Sequence, residues 1–115
     1  MVATQARTSD METCIQNCLD CLVECENCAT ACLSGEMVQM MAKCIEFCRD
    51  CSDLCAICAR FMSRGSDLHK QLCNACAEAC DRCANECGSH KSDHCQQCAE
   101  SCRKCADSCR QMAAA

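Results

Sequence analysis

Cysteine recurs every third or fourth residue through almost the whole of this 115-residue chain, 21 times in all. An alternation of three and four is the step of one face of an α-helix, so the thiols are expected in continuous stripes along helices. The stripes fall into four units. The first holds Cys14, Cys18, Cys21, Cys25, Cys28 and Cys32, and the second Cys44, Cys48, Cys51, Cys55 and Cys58. The third holds Cys73, Cys76, Cys80, Cys83 and Cys87, and the fourth Cys95, Cys98, Cys102, Cys105 and Cys109. Within a unit the alternation never breaks, so every cysteine takes an a or d position of a heptad. A repeat averaging about 3.5 residues predicts a gentle left-handed supercoil.

Helices of about 20 residues joined by short links predict antiparallel neighbours. The fold class expected is all-α: an antiparallel, up-down-up-down four-helix bundle with cysteines lining the core. One domain is read over residues 1–115, with helices near 9–34, 36–63, 67–88 and 92–112. Ser9 and Asp10, Ser66 and Asp67, and Ser92 and Asp93 are the N-cap candidates. Gly35, Gly65 and Gly88 each follow a cysteine-rich segment, where a C-cap is wanted, and proline is absent. Beside the stripes, Ile15, Leu22 and Ala29 occupy e, and Met40, Phe47, Leu54 and Phe61 occupy g. The third and fourth units place only Ala77, Ala84, Ala99 and Ala106 at e, which lets backbones approach closely. Asp20, Glu24, Glu46, Arg49, Asp50, Glu78, Arg82, Glu100, Arg103 and Lys104 read as the solvated face. Residues 1–8 and 113–115 read as frayed tails.

Composition removes several function classes. The net charge of −5 opposes non-specific nucleic-acid binding. Trp and Tyr are absent and the only aromatic rings besides histidine are Phe47 and Phe61, so there is no base-stacking platform. No stretch has the length and apolarity of a membrane span. Residues 1–7 hold no apolar run that could serve as a signal-peptide core, so the expected location is cytoplasmic. Thiols there are kept reduced, which favours metal over disulfides.

A core of thiols is under-filled, because a thiol is far smaller than a leucine side chain. Ordinary bundle cores use Leu, Ile and Val at a and d. Disulfides fit poorly, since the cysteine count is odd and facing helices lie about 8–10 Å apart. Soft metal remains. Five stacked tetrahedral zinc–thiolate layers would put about −2 in each layer and about −10 in the interior, with no cations in the stripes to balance it. Cu(I) prefers thiolate and accepts two or three ligands, and one Cu(I) per thiolate leaves the core neutral. A CxxxC pair points two sulfurs the same way and can hold one nearly linear Cu(I), with sulfurs shared between ions. That predicts roughly 20 copper ions, about one per cysteine. The alternative is zinc or cadmium sequestration of metallothionein type. Four-cysteine ferredoxin motifs for iron–sulfur clusters end in a run followed by Cys-Pro, whereas this chain has no proline and strings its thiols along rods. An enzyme is not expected, because 21 near-equivalent cysteines single out no activated one.

The stripes end in other soft donors. Met37 and Met41 precede Cys44, His90 follows Cys87, and His94 lies one residue off the fourth stripe. In the bundle these four gather at one end, and Met11, Met62, His69 and Met112 at the other. Thioether and imidazole hold Cu(I) more weakly than thiolate, which suits an entrance that hands ions inward. Met37, Met41, His90 and His94 are therefore read as the mouth, beside the Gly88–Asp93 connection.

The four cysteine stripes and the stretch Cys87-Gly88-Ser89-His90-Lys91-Ser92-Asp93-His94-Cys95 resemble the cytosolic copper storage proteins, a cysteine-rich four-helix-bundle family. The likeness runs from about Thr13 to Met112. It implies Cu(I) bound by thiolates in the bundle, with Cys14–Cys18, Cys21–Cys25, Cys28–Cys32, Cys44–Cys48, Cys51–Cys55, Cys76–Cys80, Cys83–Cys87, Cys98–Cys102 and Cys105–Cys109 as the CxxxC units. Cys58, Cys73 and Cys95 fall outside such pairs and would bind through neighbouring helices. The resemblance further implies copper entering at one end near Met and His, and association into a homotetramer. Copper ions are the expected partner, with no nucleic acid or membrane. The protein that donates or accepts the copper is not legible in the residues.

Overall fold

The computed structural model describes residues 8–115. Four helices follow one another: α1 Ser9–Ser34, α2 Ala42–Ser63, α3 His69–Gly88 and α4 Asp93–Ala114. They pack in a ring, α1 against α2 and α4, and α3 against the same two. The result is a rod of 54 × 20 × 19 Å with its helices running up and down. Among the described residues no helix is long and apolar enough to cross a membrane.

The a and d stripes turn inward as helical periodicity demands. All 21 cysteines are buried, and only Cys32 retains any exposure, at 3%. Small residues flank them where α3 and α4 approach, and Ala77, Ala84, Ala99 and Ala106 are buried there. Ile15, Leu22, Phe47 and Leu54 pack half-buried against the thiols. Met40 does not support the core at g; it is 66% exposed. Phe61 instead stacks under the Arg64 guanidinium, 4.5 Å from its ring centre.

Helix ends differ in detail from the sequence reading. The α1 cap is Thr8, whose hydroxyl accepts from the Met11 N–H at 3.1 Å, in place of Ser9 or Asp10. The second helix does not begin at residue 36. Gly35 leaves α1 extended, and Val38–Met41 form a 3₁₀ turn that reverses the chain, with Met40 N–H on Met37 C=O at 3.0 Å. Such a turn tightens the reversal where no side chain caps the next helix. Ser66 spends its hydroxyl on the Leu68 N–H, 3.2 Å, so α3 begins two residues later than 67. Ser92 is the extended cap residue of α4.

Gly65 has φ 72°, a conformation that strains residues with a Cβ. It ends α2 in a Schellman motif: Ser66 N–H bonds Phe61 C=O at 3.0 Å, and Gly65 N–H bonds Met62 C=O at 3.1 Å. Residues 113 and 114 belong to α4, because two alanines carry the helix on to the cap at Ala115. The rest of the expected tails, residues 1–7, and the leader reading made on them, lie outside the described residues.

Two polar ties cross between helices beside the thiol core. Ser52 is 2% exposed and donates to Glu26 Oε2 at 2.6 Å, joining α2 to α1. Asn17 donates to Ser108 at 3.2 Å, joining α1 to α4. Each fixes the register of one helix on another without metal.

Candidate metal centre

Inward burial places the sulfurs within reach of one another along the whole rod. At one end Cys28 stands 3.8 Å from Cys95 and 4.0 Å from Cys44, and Cys44 stands 3.0 Å from Cys87. Cys87 leads to Cys48 and Cys83, each at 3.7 Å, and both of those to Cys98. Cys98 reaches Cys25 at 3.7 Å, and Cys25 reaches Cys21 and Cys102. Cys21 touches Cys51 at 3.6 Å, which contacts Cys80 at 3.4 Å and Cys55 at 4.0 Å. Cys55 meets Cys76 and Cys105, Cys105 meets Cys18 and Cys109, and Cys109 meets Cys14 at 3.8 Å. A single thread of sulfur contacts thus joins the two ends of the bundle. Cys32 joins it in a group with Cys28, Cys95 and His94. All 21 are free thiols.

Five CxxxC units have their own sulfurs in contact, at 3.7–4.0 Å: Cys21–Cys25, Cys51–Cys55, Cys76–Cys80, Cys83–Cys87 and Cys105–Cys109. A linear metal between two sulfurs needs about 4.6 Å, twice a metal–sulfur bond of about 2.3 Å. At the spacing present, a bridging ion would be bent and open to a third sulfur, and the third is at hand from a neighbouring helix.

Four-sulfur groups occur repeatedly, but they overlap. Cys18, Cys76, Cys105 and Cys109 share Cys105 with the group Cys21, Cys55, Cys80 and Cys105. Cys21 is shared again with Cys25, Cys51 and Cys102, and Cys25 and Cys102 again with Cys83 and Cys98. Separate tetrahedral cages cannot all be filled from such a set.

Packing thiols together governs their protons. Burial pushes the Cys95 thiol up to about 12, with the nearby Cys44 adding to it. Burial likewise raises Cys32. The hydrogen bond to Cys102 holds Cys25 above the usual thiol range, and that to Cys105 does the same for Cys55. Cys51, stabilised as an acceptor by Cys102, lies lower. Without a cation most of this interior favours neutral thiols, since a buried thiolate lacks solvation. A soft monovalent cation supplies the missing charge as each proton leaves.

The two ends differ. Cys32, Met37, Met40, Met41, His90 and His94 line a cleft of about 280 Å³ at the α1–α2 and α3–α4 connections. His94 turns inward, its Nδ1 3.4 Å from Cys28 Sγ and 3.6 Å from Cys95 Sγ. His90 does not meet the thiols; its Nε2 pairs with Glu86 at 2.9 Å. Met41 packs against the core, whereas Met37 is 57% exposed. Met40 belongs to the same cleft and was not singled out as a donor in the sequence, since its g position reads as helix packing. At the far end Met62 and Met112 are buried and Met11 packs against the core. His69 there faces the turn, with Nδ1 2.8 Å from Ser66 C=O.

Comparison with known proteins meets this geometry directly. The copper storage protein family matches residues 7–114. No curated protein sequence matches. Among solved structures, the copper storage protein Ccsp of Streptomyces lividans, loaded with 10 copper equivalents, superposes with a TM-score of 0.92 at 37% identity, covering 99% of this chain and 92% of that one. A cytosolic copper storage protein of the same organism, carrying five coppers, gives 0.89 at 38% identity over 92% and 93%. The Cu(I)-bound copper storage protein BsCsp3 gives 0.87 at 41% identity over 91% and 99%. With its four stripes buried as one sulfur thread and its length matched from end to end, this chain belongs to the copper storage protein family.

Proposed function

We propose that this protein stores Cu(I) in the cytosol, in high capacity, on the thiolates that line its bundle. The observation that carries the reading is the overlap of the sulfur groups. Cys21, Cys25, Cys102 and Cys105 each belong to more than one group of four, which suits ions that share ligands. Cu(I) does so and keeps the interior neutral; tetrahedral Zn(II) needs four thiolates to itself and leaves each site about −2. Capacity is about one copper per cysteine, roughly 20 ions.

All 21 cysteines serve as ligands in this reading. His94 extends the thread outward, and Met41, Met37 and His90 form the weaker outer steps by which copper arrives at the same cleft. The role is storage and not catalysis. Assembly of bundles into a homotetramer is part of the reading. It is supported by Leu19, Val23 and Leu33, exposed on one side of α1, and is read by light scattering on the purified protein.

Metal competition tests the function. Reduced apoprotein given excess Zn(II) should yield its sites to stoichiometric Cu(I) under argon. Retention of zinc against Cu(I) would favour zinc or cadmium sequestration in its place.

A further inference from the structure

At the end of the bundle remote from His94, the CxxxC rule gives out. Cys58 and Cys73 lack a cysteine partner four residues away on their own helices. Four residues after Cys58, where the next thiol of the stripe would point, stands Met62. Its side chain is wholly buried and is the largest among the described residues to be so. Its sulfur faces a thiol: Met62 Sδ accepts from Cys73 Sγ at 3.9 Å, from α3.

We propose that Met62 Sδ and Cys73 Sγ together hold a Cu(I) ion that closes the base of the array. The inference rests on the Cu(I) storage reading and adds to it a ligand of a different kind. Two metal–sulfur bonds of about 2.3 Å whose sulfurs stand 3.9 Å apart subtend about 115° at the metal, a bent arrangement that Cu(I) accepts. Charge explains the choice of donor. One Cu(I) on the Cys73 thiolate is neutral, and a thioether completes the coordination without adding charge where no solvent reaches. Cu(I) takes the place of the Cys73 thiol proton, which leaves to solvent, and no change of oxidation state occurs. His69, four residues before Cys73, turns its Nδ1 to the Ser66 carbonyl at 2.8 Å. Met62 thus replaces the cysteine that would otherwise continue the α2 stripe.

Crystals of the full-length, fully copper-loaded protein, measured at the copper absorption edge, test the site. The expected result is an anomalous peak at bonding distance from Met62 Sδ and Cys73 Sγ. Met62→Leu, checked for retained helicity by circular dichroism, should lose that peak and about one copper equivalent. Copper along the thiol thread with no peak at Met62 Sδ would overturn the site and leave storage standing. An unchanged basal peak and stoichiometry in Met62→Leu would overturn it too. A loaded crystal with no copper anywhere in the bundle would remove the site together with the storage reading.

Discussion

His94 Nδ1 lies 3.4 Å from Cys28 Sγ, an imidazole of α4 against a thiol of α1 at the open end of the sulfur thread. It also touches Cys95 at 3.6 Å. His90, four residues earlier, points elsewhere and holds the Glu86 carboxylate. Two histidines that look alike in sequence thus stand in different relations to the metal path. One continues the donor array, and the other braces the end of α3.

His94→Ala should slow the first uptake of Cu(I) and weaken the outermost site, by about tenfold or more if the imidazole is a ligand. Capacity should fall by about one ion, since the interior thiols remain. His90→Ala should change uptake less. Stopped-flow transfer from a Cu(I) chelator reads both variants.

Cys21→Ala removes a sulfur in contact with Cys25, Cys51 and Cys102. Because each ion shares ligands, the loss should be about one copper and not a whole four-sulfur cluster. Loading beyond the gap should continue through Cys25, Cys102 and Cys51. The apoprotein should lose about 1 kcal/mol, the scale of a small cavity. Copper analysis and urea unfolding of the reduced protein measure the two effects.

Protons oppose metal here. Burial raises Cys95 to about 12, and Cys32 moves the same way, so binding at neutral pH must expel thiol protons. Affinity for Cu(I) should therefore rise with pH, with proton release close to one per thiolate engaged, measurable in weakly buffered solution. Apoprotein stability runs the other way. Above about pH 9 an unfolded cysteine ionises while a buried raised one does not, so the unfolded chain binds fewer protons. The contribution of Cys32 and Cys95 is whole below that pH and is lost as pH rises through their folded values. The apo Tm should fall between pH 9 and 11 if these thiols dominate, as scanning calorimetry under reducing conditions would record.

Ser52→Ala breaks the tie from α2 to Glu26 on α1. The expected cost is about 1 kcal/mol of apo stability, with copper capacity unchanged. A fall in capacity would mean that helix register, and not only the thiols, sets the number of sites.

Much of this architecture is legible in the spacing of cysteine, because an inward stripe of identical side chains leaves one helical phase available. The cysteines carry the phase of all four helices, and burial follows. The connections carry no such stripe. Nothing in Glu36–Met41 signals a 3₁₀ turn, since all of its residues but Val38 are good helix formers and the chain reversal overrides them. Thr8 in place of Ser9 as the cap is a matter of one residue, settled by which hydroxyl reaches Met11 N–H. The division between His90 and His94 depends on side-chain direction at the α4 start, which spacing alone does not fix. The bent geometry of the CxxxC pairs likewise comes from packing of four helices around sulfur, and a single helix considered alone suggests a linear bridge.

Titration of the fully reduced apoprotein with Cu(I) under anaerobic conditions, against a competing chelator, tests the central claim most directly. Uptake should continue to roughly 20 equivalents per chain, about one per cysteine. Saturation near five equivalents, one metal for every four thiols, would contradict it.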